Sequence, residues 1–510
     1  MKIERTKNAG RNFLVGSVLK VYQIIVPFAV RTVMIYSMGV QYLGLNSLFT
    51  SILQVLNLAE LGVGNAMVYS MYRPIAEDDT ASICALLRLY RTYYRIIGLI
   101  IAGLGTALIP FLPQLIKDGT PAGISLTGLY LLNLASVVLS YWLFAYKGSL
   151  FRAHQRTDIP DKITLATTTI QYGVQLAVLL LWKNYYVYVL TALLAQATAN
   201  LVVAAAATRK YPKYVPTGKL PQEAVHEINR RIRDLFTAKF GAVIYNSADT
   251  VVISGFLGLT VLAIYQNYFY IMNSIMGVVG VMFSASMAGI GNSILTESKE
   301  KNTGDLYLFT FLLMWITGVC TVCLLCLYQP FMQLWVGKEL MLSNFTVILF
   351  CIYYFTREIS QLLNVYKDAA GIWHSDRLRP LITAGANLIM NLIMVQFWGI
   401  YGILLSTVLA ILLIGMPWLL HNLFSTIFDQ KDLLPYLRRL GIYTIGTCLT
   451  AAVMLGVCSN ISSESWFGFW GKTICCGVGA NLCLLVFYFR LPEFSQGKAL
   501  VLKILKRSRR

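Results

Sequence analysis

The chain has 510 residues, 57% of them hydrophobic and only 13% charged, with a mean hydropathy of +0.63. A soluble domain carries about 25% charged residues, so this composition excludes an ordinary soluble protein, and the alternating ten-residue pattern of a membrane β-barrel is missing from the sequence. The formal net charge is +19, and its meaning depends on where the charges lie.

Apolar windows of about 20 residues, the length at which a helix crosses a hydrocarbon layer of about 30 Å, recur from end to end. They predict an all-α polytopic membrane protein with fourteen spans, near 12–36, 43–69, 92–116, 122–146, 162–182, 185–207, 236–256, 260–293, 307–328, 343–366, 380–398, 400–424, 437–458 and 467–489. With the N-terminus in the cytoplasm, the inner segments 1–11, 70–91, 147–161, 208–235, 294–306, 367–379, 425–436 and 490–510 hold most of the 42 Lys and Arg. The outer loops hold only Lys117, Lys183 and Lys338. This positive-inside bias puts both termini in the cytoplasm. It also accounts for most of the net charge without a nucleic-acid partner. The basic start is followed by a 25-residue span with no Ala-x-Ala site, which reads as a retained first helix. The basic tail Lys503–Arg510 reads as solvated and close enough to touch anionic headgroups.

The ten cysteines fall mostly within spans. Cys320, Cys323 and Cys326 recur at every third position of an apolar segment without His or carboxylate company. They are expected to be small packing residues and not metal ligands.

The chain also repeats itself. At a shift of 220 residues, Pro110-Phe111 falls on Pro330-Phe331, Tyr146-Lys147 on Tyr366-Lys367, His154 on His374 and Pro160 on Pro380. Leu129, Ser140 and Leu143 match Leu349, Ser360 and Leu363 in the same gapless window. Leu43-Gly44-Leu45 matches Leu257-Gly258-Leu259 at a shift of 214. An even number of spans per unit makes this a parallel repeat of two six-helix bundles. The expected divisions are 1–207 for the first bundle, 208–235 for a cytoplasmic linker, 236–424 for the second bundle, and 425–510 for two further helices with the basic tail. His154 and His374 are expected to stabilise equivalent cytoplasmic turns or to touch the inner mouth.

Charges inside the spans are the chemical signal, because each costs roughly 2.5–3.5 kcal/mol at bilayer depth on insertion scales. Lys20, Gln23, Pro27 and Arg31 form one stripe of the first span, and Lys239, Asn246 and Thr250 repeat that spacing in the seventh, beside Asp249. The eighth span offers Gln266, Asn267, Tyr270 and Asn273, and the tenth offers Arg357, Gln361 and Asn364. For the neutral amides, interhelical hydrogen bonding and a watery cavity remain equal readings. Arg31 and Arg357 point to a cavity that, with Lys20 and Lys239, suits an anion such as pyrophosphate, whose oxygens a guanidinium fork holds two at a time. Glu60, Asp249 and Glu358 are candidates for pairing with these cations, for gating, or for binding a coupling proton or sodium ion. No outer loop is large enough for a catalytic domain, so an enzyme is not expected.

Four stretches carry a family resemblance. They are QYLGLNSLFTSILQVLNLAELGVGNA (41–66), DTVVISGFLGLTVLAIYQ (249–266), PFMQLWVGKE (330–339) and AAGIWHSDRLRPLITAGANLIMNLIMVQFWGIYGILLST (369–407). In order and spacing the chain resembles the bacterial polysaccharide flippases of the MOP superfamily, which also includes multidrug MATE exporters and lipid II flippases. It departs from the common pattern at Asn46-Ser47, where family members carry Tyr-Gly. The resemblance implies two six-helix bundles working by alternating access in the bacterial cytoplasmic membrane, as a monomer alongside other polysaccharide-assembly proteins. The implied cargo is an undecaprenyl-pyrophosphate-linked oligosaccharide. The alternative within the fold is an ion-coupled MATE-type drug exporter.

Overall fold

The structure is a computed structural model that describes residues 5–60, 62–121 and 123–499. Among the described residues every regular element is helical. The chain packs as two compact units, Met1–Ala263 and Ile264–Arg510.

The first unit contains α1 (Arg5–Met38), α2 (Val40–Leu56), α3 (Val63–Ala76), α4 (Thr80–Ala107), α5 (Leu126–Trp142), α6 (Gly148–Ala153), α7 (Asp158–Ala177), α8 (Tyr185–Lys210) and α9 (Gln222–Leu257). Here α1 packs on α7, α7 on α8, α4 on α5, and α2 on α9. The close packing of this region on α9 and on the first residue of α10 depends on glycines. A Cβ at Gly44 would overlap the carbonyl oxygen of Leu259. The repeated motifs 43–45 and 257–259 thus lie against each other. Gly62 serves the same contact, since a Cβ there would stand 2.6 Å from Leu235 of α9.

The second unit holds most of α10 (Leu259–Thr296), then α11 (Lys299–Val336), α12 (Asn344–Ala369), α13 (Arg379–Trp398), α14 (Ile400–Ala410), α15 (Met416–Thr426), α16 (Leu433–Ser459) and α17 (Trp466–Tyr488). The C-terminal pair α16 and α17 packs on α11. Between α13 and α14, Asn387 donates to Thr407 Oγ1 at 3.0 Å, and Ser406 hydrogen-bonds Asn391. All four side chains are buried, so these amides are the interhelical kind.

Two pairs of helix starts are alike. Gly39 precedes α2 and Gly258 precedes α10, both at positive φ. Ser125 caps α5 and Ser343 caps α12, each accepting the backbone N–H three residues on.

Several expected boundaries are corrected. The span 43–69 is not one helix: α2 stops at Leu56, a 3₁₀ turn covers Asn57–Glu60, and α3 begins at Val63 after Gly62 at φ 90°. Polar Asn57 and Glu60 at this break turn toward partners on neighbouring helices, described below. The span 92–116 bends by 57° after Ala107, where Pro110 and Pro113 interrupt the helical ladder. The span 122–146 bends by 48° between Trp142 and Ala145. The linker expected over 208–235 is only 211–221, because α8 runs to Lys210 and α9 starts at Gln222. Pro221 stands where no backbone donor is required, and Glu227 pairs with Arg231 at 2.6 Å one turn later. The first unit therefore extends to Ala263 and includes α9.

By length and apolar content, eight described helices can cross a membrane, or ten if each bent pair is one span. The expected fourteen includes segments that do not qualify on those grounds. For example, α2 has 17 residues, and α12 carries Arg357, Glu358, Lys367 and Asp368.

Candidate functional site

In the first unit the broken second span aims its polar residues inward. Tyr90 and Tyr94, one turn apart on α4, are both buried. Tyr90 donates to the Tyr94 hydroxyl at 2.8 Å, and Tyr94 donates to Oε1 of Glu60 at 3.0 Å. Tyr141 of α5 packs edge-on to Tyr94 with centroids 5.2 Å apart, and its hydroxyl donates to Asn57 Oδ1 at 3.2 Å. Gly64 leaves room for this cage: a Cβ there would lie 3.1 Å from the Tyr90 hydroxyl and 3.2 Å from Glu60 Oε1. A half-buried carboxylate that accepts from a buried phenol hydroxyl is suited to binding a proton or a small cation.

Tyr90 and Tyr94 also line a cavity of about 260 Å³. Its other walls are Ser149 and Arg152 of α6, Thr164, Thr167, Thr168 and Gln171 of α7, and Gln196 and Asn200 of α8. The amides are oriented: Gln196 donates to Asn200 Oδ1 at 3.1 Å, and Asn200 donates to the Ser140 carbonyl at 2.8 Å. Two of the threonines are tied back to their own helix, Thr168 to the Thr164 carbonyl at 2.7 Å and Thr167 to that of Ile163 at 3.0 Å. The volume fits several waters or one small polar group, since a liquid water occupies about 30 Å³. Sequence reasoning missed Arg152, Gln196 and Asn200. The available signal was the Thr- and Gln-rich face of 164–171, unusual for a span.

The expected site residues fall in different settings. On α1, Lys20 and Gln23 are exposed, whereas Arg31 is half-buried and acts electrostatically on Tyr188 of α8. The α1–α7 contact beneath them includes Tyr22 and Tyr172, 6.3 Å apart. The side chains of Lys239 and Asn246 lie outside the described residues, as does the basic tail. Asp249 is buried on α9 beside buried Ser247 and Thr250.

In the second unit Asn267 is fully buried and Tyr270 half-buried on α10. The stripe of α12 divides. Arg357 is half-buried, Gln361 is exposed, and Glu358 is buried close to Arg357, Tyr354 and Cys320. One carboxylate oxygen of Glu358 is buried without a hydrogen bond among the described residues. Asn364 is committed to structure: it donates to the Ser360 carbonyl at 2.8 Å and accepts from Arg379 Nη2 at 2.8 Å. Arg379 in turn forms a two-pronged pair with Asp376 at 2.6 and 2.7 Å, and Asn422 and Lys367 reach the same carboxylate at 3.2 and 3.5 Å. This buried knot at the start of α13 was not anticipated from the sequence.

His154 and His374 also differ. His154 is buried, hydrogen-bonded to the Leu150 carbonyl at 2.8 Å and stacked on Tyr211 at 4.4 Å, whereas His374 is exposed. For His154 the turn-stabilising role is the observed one.

No family model and no curated protein sequence matches the chain. Solved structures do. The lipid II flippase MurJ in its inward closed conformation superposes with a TM-score of 0.68 at 16% identity, over 94% of this chain and 99% of that one. An inward-facing MATE multidrug transporter of the MOP superfamily matches at 0.58 and 12% identity, covering 80% and 97%. An outward-facing MATE transporter of the same superfamily matches at 0.52 and 13%, covering 82% and 95%. The chain has the MOP transporter fold. That fold is thus on record in both inward-facing and outward-facing forms. The match to the lipid II flippase extends over more of this chain than either match to a MATE transporter.

Proposed function

We propose that this protein is a flippase that moves an undecaprenyl-pyrophosphate-linked oligosaccharide from the cytoplasmic to the outer leaflet of a bacterial cytoplasmic membrane, for cell-surface polysaccharide assembly. The observation that carries this reading is the pair Arg31 and Arg357, one half-buried arginine inside a helix of each unit. A guanidinium stays charged and holds two phosphate oxygens at once, so each suits the pyrophosphate of a lipid-linked sugar and neither suits a cationic drug. The long match to a lipid II flippase supports the same class. Both termini are cytoplasmic in this reading, and the transporter works by alternating access as a monomer.

Glu60 is the proposed coupling-ion residue, taking a proton or sodium ion in its tyrosine cage, with Asp249 and Glu358 as gating carboxylates. The same acidic cage supports a second reading, a cation-coupled drug exporter of the MATE type. Complementation of a strain lacking its own polysaccharide flippase separates the two. Wild type is expected to restore surface polysaccharide, and Arg31→Ala and Arg357→Ala are expected to fail at matched membrane expression. Rescue by both variants would reduce the arginines to structural charges. Export of a cationic dye without rescue would favour the exporter.

A further inference from the structure

Three cysteines far apart in sequence meet inside the second unit. Cys326 of α11, Cys458 of α16 and Cys476 of α17 are buried, and their sulfur atoms all lie within 4.8 Å of one another. We propose that this trio is a binding site for a soft, thiophilic metal ion of the copper(I) class. The sequence places Cys326 with Cys320 and Cys323 on one apolar helix, where they read as packing. The tertiary structure instead gives Cys326 two sulfur partners from the C-terminal helix pair. Cys323, one turn earlier, packs against the same cluster, so a further sulfur borders the trio.

The geometry and the donor set both point to this class of ion. Three sulfurs at a metal–sulfur distance of about 2.3 Å form a triangle of side about 4.0 Å. The observed cluster therefore needs to contract by less than about 1 Å to close on an ion. The side chains of Val322, Met454 and Ala480 that adjoin the trio are apolar, and the Val322 backbone carbonyl stands 3.9 Å from the Cys476 sulfur. Hard cations such as magnesium or calcium demand oxygen ligands, whereas soft thiolates select copper(I). Zinc in a structural site takes four ligands in a tetrahedron, whereas the sulfurs that lie within 4.8 Å of one another are three and make a triangle.

Charge is accommodated as well. A monovalent ion held by two thiolates and one thiol carries a single negative charge. Lys472, one turn before Cys476 and buried, acts electrostatically on Cys326, while its Nζ stands 3.5 Å from Ser463 Oγ. An amine so placed offsets that charge in a low-dielectric interior. On loading, two thiol protons leave as the ion enters, including that of Cys476, whose thiol otherwise faces the Val322 carbonyl at 3.9 Å. The bound ion joins α11, α16 and α17, fixing the C-terminal pair to the rest of the unit.

The test uses the reduced full-length protein in detergent, titrated anaerobically with copper(I) against a chromophoric copper(I) chelator. One equivalent per chain is expected to be withheld from the chelator, with ultraviolet thiolate-to-copper absorption and a rise in melting temperature. Cys458→Ser and Cys476→Ser are expected to lose all three signals. Cys448→Ser, which removes an exposed cysteine of α16, is expected to keep them. If the serine variants fail to fold, copper-edge X-ray absorption on the wild type decides, with a three-sulfur shell expected. Copper retained by a Cys326→Ala, Cys458→Ala, Cys476→Ala triple variant would overturn the site. So would zinc binding in place of copper(I), no copper withheld by wild type, or an X-ray shell dominated by nitrogen or oxygen.

Discussion

Tyr94 donates its hydroxyl to Glu60 at 3.0 Å while accepting that of Tyr90 at 2.8 Å, so one carboxylate terminates a two-phenol relay that begins at the wall of a polar cavity. The relay exists because the second span breaks at Asn57–Glu60. A continuous helix over 43–69 would have carried Glu60 past Tyr94.

If Glu60 takes the coupling ion, Glu60→Gln keeps the shape and the hydrogen-bond acceptor but removes the charge. Normal yield and melting temperature with loss of complementation is the expected result. Tyr94→Phe instead leaves the buried Tyr90 hydroxyl without its acceptor, at a cost of about 1–3 kcal/mol. A lowered melting temperature in detergent checks it.

The Asp376–Arg379 pair is buried on both sides and shared with Asn364 and Asn422. Arg379→Met strands the Asp376 carboxylate, leaving it Lys367 at 3.5 Å as its charged partner. Breaking such a pair from one side costs about 3–5 kcal/mol. Thermal unfolding of the purified variant measures this, and adding Asp376→Leu is expected to recover part of the loss, since the orphaned charge is then gone.

Two glycines in helices make opposite predictions. At Gly44 the added methyl of alanine meets backbone, the Leu259 carbonyl, which cannot rotate away. Gly44→Ala is expected to destabilise by about 1–3 kcal/mol through overpacking. Gly103 of α4 has nothing within 4 Å of the same position. There Gly103→Ala is expected to be neutral or to stabilise by up to about 1 kcal/mol, by raising helix propensity. Melting temperatures of the two variants, compared side by side, test the packing of α2 on the start of α10.

His154 lies in the turn after α6, and burial holds its pKa below the ordinary value of 6.5, with Lys213 and Lys210 acting in the same direction against the hydrogen bond to Leu150. The unfolded chain therefore binds the proton more readily than the folded one. Stability rises with pH wherever the unfolded state binds more protons, so the contribution of neutral His154 is present above about pH 6.5 and is lost as pH falls through the interval below. His154→Phe retains a ring to stack on Tyr211 and is expected to flatten this part of the stability–pH curve. Melting temperatures between about pH 5 and pH 7 give the comparison.

The readable parts of this protein were those set by local composition. Long apolar windows marked α13 and α17 nearly to the residue and located the centres of α11 and α16, because an apolar run and a helical period are properties of contiguous sequence. The Ser125 and Ser343 caps are local for the same reason, since each serine accepts the backbone N–H three residues on. The cut of span 43–69 was harder to see, since its signal is two polar side chains whose partners lie about 30 and 80 residues away.

Helical spacing placed Arg357, Gln361 and Asn364 on one face, but spacing does not say what that face meets. Asn364 binds Arg379, Gln361 is exposed, and Arg357 is half-buried. The sequence alone determined a helical membrane protein, duplicated, with basic residues inside its spans. These follow from hydropathy, period and charge, which need no partner. Only the tertiary structure decided that Glu60 joins Tyr94, that Asp376 joins Arg379 and Asn422, and that Cys326 meets Cys458 and Cys476. Apart from the local Asp376–Arg379 pair, each of those depends on helices crossing at a particular depth and rotation, fixed by packing between segments that no local pattern relates.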